Sequence, residues 1–180
     1  MKSLLDNIKY RDYASPIEQN IAAVFQEALN EYFNSEWTII HNVLIPLING
    51  KHFEVDLIIA KNNYPVAIVE IKRSLDNRSC LALENQLNRT AAVLYASLCI
   101  ACSSEEMFSF PAGKSSVKVE MKTFNKENIR QALENVGNNG DVTIDEIKSK
   151  WKGILKQFDF ETKDEVDGFI TQITECDKRD

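Results

Sequence analysis

The stretch from residue 52 to residue 72 constrains the fold more than any other part of the chain. It reads as two strands, residues 52–60 and 66–72, joined by a turn that contains Asn63 and Pro65. Residues 66–69 are Val, Ala, Ile and Val, so both faces of the second strand must be covered by other parts of the protein. A strand of this kind lies in the middle of a sheet, and the preceding strand is expected to pair with it in the antiparallel direction.

Other elements are predicted on either side of this pair. Ser15, Pro16 and Glu18 form an N-terminal capping pattern that begins a helix over residues 15–33. Periodicity predicts the remaining elements as strands at 37–48, 99–103 and 116–124, helices at 80–98, 126–136, 143–158 and 163–174, and a loop at 107–113. This order predicts an α/β fold with a central mixed sheet of about four to five strands, flanked by helices.

The length of 180 residues suits one domain. We expect a core at residues 1–124 and a helical C-terminal extension at 125–180. No apolar run reaches the ~18 residues of a membrane helix, and the N-terminus lacks the apolar segment of an export signal. We therefore expect a cytoplasmic protein with no membrane partner, and reduced thiols at its four cysteines.

The net charge of −6 argues mildly against a nucleic acid partner, but its distribution weakens that argument. Residues 157–180 hold eight acidic and three basic residues, a net of −5, which leaves −1 for residues 1–156. An acidic tail can hide a local basic surface from the total.

The pattern Glu-x-Lys occurs four times, beginning at Glu70, Glu120, Glu146 and Glu161. The pattern at Glu146 is on a predicted helix, where side chains two positions apart do not face each other, and the one at Glu161 lies in an acidic stretch. The pattern at Glu120 is on a predicted strand but has no aspartate on a neighbouring strand. The pair Glu70 and Lys72 lies at the end of the central strand, where both side chains point to one face.

Asp56 lies on the preceding strand among Val55, Leu57 and Ile58, where an unpaired carboxylate is costly. Two carboxylates with water and a substrate phosphate are a usual way to hold Mg²⁺, and Lys72 could assist an attacking water. The structural alternative is an ion pair of Lys72 with Asp56 or Glu70. Repulsion between the two carboxylates also predicts that removing either leaves the fold intact or more stable.

Three segments, VDLII at 55–59, the turn at Tyr64-Pro65 and VAIVEIKRS at 66–74, resemble the PD-(D/E)XK nuclease superfamily. Within it, they are similar to the N-terminal nuclease domain of type I restriction enzyme R subunits. The resemblance covers about residues 15–102 and implies a restriction-endonuclease-like core that cuts DNA with Mg²⁺, for which Mn²⁺ can substitute.

The resemblance also implies roles for individual residues. Asp56 and Glu70 would bind the metal together with the backbone carbonyl of Ile71, and Lys72 would be the catalytic lysine. Glu18 on the first helix would be a further metal ligand, although its place in the capping pattern explains it equally well. Residues that would contact nucleic acid are Arg73, Gln86 and Arg89.

Two departures from the family pattern are visible. Val55 stands where a proline is common, and Thr90 stands where some members have a tyrosine four residues after Gln86. The function expected from the sequence is a Mg²⁺-dependent DNA nuclease, related to restriction or defence. It could act as a homodimer or with a separate motor or methyltransferase subunit. The alternative is a non-catalytic module on the same fold that binds nucleic acid or a partner protein.

Overall fold

A computed structural model describes residues 9–10, 15–46, 52–62, 64–76, 80–94, 96–112 and 120–136. The helices are α1 (Pro16–Tyr32), α2 (Cys80–Leu94) and α3 (Lys126–Glu134). The strands are β1 (Lys9–Tyr10), β2 (Trp37–Pro46), β3 (His52–Lys61), β4 (Tyr64–Ile71), β5 (Leu98–Cys102), β6 (Glu106–Pro111) and β7 (Lys122–Thr123).

The described strands form one seven-stranded sheet in chain order from β1 to β7. β3 and β4 pair antiparallel, as the sequence predicts, and β4 lies at the centre of the sheet. β4 and β5 pair parallel because α2 carries the chain back across the sheet between them. The sheet is therefore mixed and the α/β prediction is confirmed, with more strands than expected.

α1 begins where the capping pattern places it. The Ser15 side chain accepts a hydrogen bond from the Glu18 amide, and the Glu18 carboxylate accepts one from the Ser15 amide. Both bonds satisfy amides that a helix start leaves without an intrahelical partner. Ile21, Phe25 and Leu29 recur at helical spacing and are buried against one face of the sheet. Burial of this apolar stripe stabilises α1 far more than its cap does.

α3 joins the same apolar core. Ile129 and Leu133 are buried in the cluster that contains Phe25 of α1 and Val69 of β4. The Phe124 ring, just before α3, lies 5.7 Å from the Phe25 ring between centroids. The start of the predicted C-terminal extension thus packs into the core, while the division of the chain near residue 124 stays a prediction.

Three predictions of secondary structure were wrong. The second helix ends at Leu94, and Leu98 begins β5 because its neighbours Cys99 and Ile100 are buried in the sheet. Residues 107–113, expected as a loop, contribute β6, in which Met107, Phe108 and Phe110 are buried. In the described part of the predicted strand at 116–124, only Lys122 and Thr123 pair with β6.

Several predictions fall outside the described residues. They are the strand residues 116–119, the helices at 143–158 and 163–174, and the hairpin turn that the dipeptide Asn49-Gly50 predicts between the strands at 37–48 and 52–60. Within the described ranges, no helix combines the length and hydropathy needed to cross a membrane.

Candidate active site

Asp56 lies where β3 and β4 stop pairing. The last paired residues are Leu57 and Val69, and Asp56 follows on the β3 side. One oxygen of its carboxylate, Oδ2, accepts a hydrogen bond of 2.7 Å from the Ile71 amide. The side chain thus takes the place of a strand carbonyl, which explains how a carboxylate only 9% exposed is tolerated between apolar neighbours.

Glu70 and Lys72 lie at the end of β4, and their side chains meet. The Lys72 ammonium donates to Glu70 Oε1 over 2.8 Å, and the Gln86 amide of α2 donates to the same oxygen over 3.2 Å. Ile71, between them, belongs to the apolar core on the other face of the sheet. The Glu70 side chain is 13% exposed, whereas Lys72 is 42% exposed and reaches solvent.

The electrostatics of this site are dominated by its carboxylates. Burial, followed by the negative charge of Asp56, raises the pKa of Glu70, and contacts with Lys72 and Gln86 only partly oppose this rise. Burial and the same two carboxylates also raise the pKa of the Cys102 thiol on β5. The single positive charge of Lys72 does not balance the two carboxylates of Asp56 and Glu70. The remaining negative charge favours a cation between them.

A cleft of about 280 Å³ opens beside Asp56, between α1 and the strands β2 and β3. Glu18 and Asp56 both line it, as the resemblance requires for a shared metal. The Glu18 carboxylate is nevertheless turned to the Ser15 amide at 3.2 Å. Among the described residues, no three His, Cys, Asp or Glu side chains form a metal-holding group.

The donor set still fits Mg²⁺. Asp56 and Glu70 supply two hard oxygen ligands from neighbouring strands, and Mg²⁺ usually keeps several waters rather than a complete protein cage. Burial is the main cause of the raised pKa of Glu70, and the negative charge of Asp56 is the second, so a divalent cation between the carboxylates would offset both.

His41 and Asn42 of β2 also line the cleft, together with Gln19 and Gln26 of α1. Sequence reasoning missed this set and assigned His41 no role. One signal was available, since asparagine is depleted in strands and Asn42 interrupts a run of residues that favour strands.

Of the three residues predicted to contact nucleic acid, Gln86 contacts Glu70, and the two arginines are exposed. Arg73 follows β4 and is exposed, and Arg89 is exposed on α2, three residues after Gln86. Gln86 contacts Glu70, so within the protein it positions a carboxylate. Arg78, a further basic residue of this stretch, lies outside the described residues.

The other Glu-x-Lys patterns and two of the cysteines are described in part. Glu120 and Lys122 are exposed at the far edge of the sheet, and the patterns at Glu146 and Glu161 lie outside the described residues. Cys99 and Cys102 are buried thiols, and neither belongs to a disulfide.

Comparison with known proteins gives one match. Residues 16–103, a little under half of the chain, match the family model of the nuclease-related domain, NERD. This segment contains Glu18, Asp56, Glu70 and Lys72, and the match indicates a nuclease-related function for it. No curated protein and no solved structure matches the chain.

Proposed function

We propose that this chain is a Mg²⁺-dependent nuclease that hydrolyses phosphodiester bonds in DNA, with Asp56, Glu70 and Lys72 as its catalytic residues. The observation that carries the proposal is the placement of two carboxylates on neighbouring strands, buried Asp56 in the middle of β3 and largely buried Glu70 at the end of β4, with Lys72 beside Glu70. Burial and then the charge of Asp56 raise the pKa of Glu70 there, and Lys72 donates a hydrogen bond to Glu70. The site lies inside the segment similar to a nuclease-related domain.

Asp56 and Glu70 would hold the metal, with the Ile71 carbonyl and Glu18 as further ligands. Mg²⁺ or Mn²⁺ would supply a Lewis acid for the scissile phosphate and lower the pKa of a bound water. Glu18 would have to leave the Ser15 amide to bind, which breaks one bond of the capping box. Gln86 would hold the Glu70 carboxylate in place during this change.

Lys72 is suited to act on the substrate because its side chain is held by a hydrogen bond to Glu70 and is also exposed to solvent. Its ammonium has three donor hydrogens and uses one on Glu70, so others can reach a phosphate oxygen or the attacking water. A positive charge at that position would stabilise the negative charge that develops as the water attacks phosphorus.

DNA is the proposed substrate, and the exposed Arg73 and Arg89 would contact its phosphates. This choice, like a role in restriction or defence, rests on the resemblance to type I restriction enzyme R subunits. The same analogy suggests a homodimer or a separate motor or methyltransferase subunit as partner, in the cytoplasm.

A second candidate is a non-catalytic module on the same fold that binds nucleic acid or a partner protein. One observation favours it: the Lys72 ammonium already pairs with the Glu70 carboxylate at 2.8 Å. In this reading the ion pair would be structural, and Lys72→Ala would mainly destabilise the fold.

Cleavage of plasmid and single-stranded DNA with Mg²⁺ or Mn²⁺ tests the proposal. Asp56→Asn and Lys72→Ala should each reduce the rate by about a hundredfold or more, since each removes a group that acts on the reacting atoms. Lys122→Ala is the matched control, because Lys122 is an exposed lysine in a Glu-x-Lys pattern at the far edge of the sheet.

The nuclease proposal predicts a rate for Lys122→Ala equal to that of the wild-type protein. It is contradicted if wild-type protein cuts neither substrate with either metal. Equal rates for Asp56→Asn, Lys72→Ala and the wild-type protein would also contradict it, because the site would then lie elsewhere.

A further inference from the structure

The pairing of β2 with β3 is interrupted at one position, opposite Asp56. His41 pairs with Leu57 and Val43 pairs with Val55, but the pair between them, Asn42 with Asp56, is missing. Asn42 has φ of 58°, in the left-handed region, in the middle of a ten-residue strand. Only this position and Asn62 have positive φ among the described residues other than glycine.

The residue with this conformation lines the cleft. His41 and Asn42 are both part of the wall beside Asp56, and Asn42 has a left-handed backbone there in place of regular strand geometry. A left-handed backbone costs free energy in any residue with a Cβ, and such strain is concentrated at functional sites. His41 and Asn42 thus lie in one wall, next to the candidate metal ligand Asp56, where the pairing of β2 with β3 is interrupted.

The opposite wall has similar chemistry. Gln19 and Gln26 of α1 line it, and Gln26 is held in place by its hydrogen bond to Asn30 at 3.0 Å. The same elements also contribute apolar residues to the lining, Ala22 and Ala23 from α1, Ile39 from β2 and Leu57 from β3. Amides around an apolar surface suit a flat group with donors and acceptors on its edge.

The cleft does not suit a phosphate by itself. Of the described residues, those that line it include the carboxylates of Glu18 and Asp56 and no lysine or arginine. Asn and Gln amides pair with nucleobase edges, and an aromatic base can pack on the apolar surface. The volume of about 280 Å³ is close to the lower limit of roughly 300 Å³ for small-molecule pockets, so it has room for one such unit.

We propose that this cleft binds a single unpaired nucleobase of the substrate, next to the phosphate that lies at Asp56 and Glu70. The proposal rests on the proposed nuclease function and deepens it by naming the substrate class. A base can enter the cleft only when it has left its stack, so the preferred substrate is a single strand or an unpaired segment. Asn42 and His41 are the specificity-determining residues of one wall.

Binding of fluorescein-labelled oligo(dA), oligo(dC) and oligo(dT), and of a duplex, tests the proposal by fluorescence anisotropy in Ca²⁺. The variant is Asn42→Gly, which removes the amide but suits a positive φ. Asn62→Gly is the matched control, since Asn62 has φ of 52° in the exposed turn between β3 and β4. Gln26→Ala tests the opposite wall at an exposed helical position that accepts alanine.

Wild-type protein is expected to bind at least one single strand more tightly than the duplex. Asn42→Gly should weaken that binding by about tenfold and reduce the difference among the three bases, and Gln26→Ala should act in the same direction. Asn62→Gly should bind as the wild-type protein does. A merely structural role of Asn42 would leave the base preference unchanged.

The outcomes separate this proposal from the nuclease function. If wild-type protein cuts DNA and Asn42→Gly keeps its affinity and base preference, the base cleft is wrong and the nuclease stands. Tighter binding of the duplex than of every single strand also overturns the cleft proposal. If wild-type protein neither binds nor cuts any of these nucleic acids, both proposals fail together.

Discussion

Asp56 shows how a single contact alters an expectation drawn from residue types alone. The sequence predicts that removing the Asp56 carboxylate leaves the fold as stable or makes it more stable, because the repulsion between Asp56 and Glu70 is lost. The structure adds the buried hydrogen bond from the Ile71 amide to Asp56 Oδ2. The net effect therefore depends on whether the replacement can still accept that bond.

Asp56→Ala should lower the free energy of unfolding by about 1–3 kcal/mol, the cost of a buried amide left without an acceptor. Asp56→Asn keeps an oxygen for the Ile71 amide and should lose clearly less, while both variants lose cleavage. Urea unfolding in EDTA measures the difference. Equal stability of the two variants would show that the Ile71 bond contributes little.

Glu70 predicts a dependence of stability on pH. Burial and the Asp56 charge raise its pKa above the ordinary 4.5, so above pH 4.5 the folded protein binds more protons than the unfolded chain. The free energy of unfolding of metal-free protein should then fall as pH rises through the raised pKa. Glu70→Gln removes this titrating carboxyl group and keeps a side-chain oxygen that can accept hydrogen bonds from Lys72 and Gln86.

We therefore expect Glu70→Gln to gain stability relative to wild-type protein as pH rises from about 4.5 to neutrality. Urea unfolding of both proteins in EDTA over this range measures the gain. A difference that is constant with pH, or that favours wild-type protein at neutral pH, would contradict the raised pKa.

The elements around the site could be predicted to different extents. The start of α1 and the antiparallel pair β3–β4 follow from local signals, a capping pattern and two apolar runs around a turn. β6 was missed because Pro111 and Gly113 mark a loop, whereas burial of Phe108 and Phe110 by distant neighbours makes it a strand. Local patterns carry no information on such tertiary burial.

The same limit applies to the site. Asp56, Glu70 and Lys72 could be selected from alternation on two neighbouring strands. Other features of the site depend on where strands stop pairing, which residue types alone do not specify. The hydrogen bond from Ile71 to Asp56 lies where β3 and β4 stop pairing, and the left-handed Asn42 lies where the pairing of β2 with β3 is interrupted. Gln86 was identified by family resemblance, but its contact with Glu70 came only from the packing of α2.

Glu18 has two roles to separate, one observed in the cap of helix α1 and one proposed as a metal ligand. Glutamine can replace glutamate in a capping box, so Glu18→Gln should keep the stability of α1 within about 0.5 kcal/mol while it removes the charge. If Glu18 binds the metal, cleavage should fall by about tenfold or more. Ser15→Ala should show the opposite pattern, a loss of about 1 kcal/mol with cleavage retained.

Thermal unfolding and initial cleavage rates of Glu18→Gln and Ser15→Ala separate the two roles. Wild-type cleavage by Glu18→Gln would limit Glu18 to the helix cap.

At the scale of the whole molecule, α3 connects the region after residue 124 to the sheet. Leu133 is 1% exposed and packs in the same cluster as Phe25 and Val69. Leu133→Ala should therefore lower the free energy of unfolding by about 2–5 kcal/mol in one cooperative transition. Circular dichroism and tryptophan fluorescence during urea unfolding measure this, and separate transitions for the two signals would show that α3 folds independently of the sheet.

The central claim is that a divalent cation binds between Asp56 and Glu70, and thermal unfolding with Mg²⁺ or Mn²⁺ tests it most directly. A ligand that binds only the folded state stabilises it by mass action, so saturating metal should raise the Tm of wild-type protein by roughly 5–10 °C. The Tm of Glu120→Gln, a variant that loses an exposed carboxylate from another Glu-x-Lys pattern, should rise by the same amount when metal is added. The Tm of Asp56→Asn should not rise. The same rise in Asp56→Asn as in wild-type protein, or no rise in any of the three proteins, would contradict the claim.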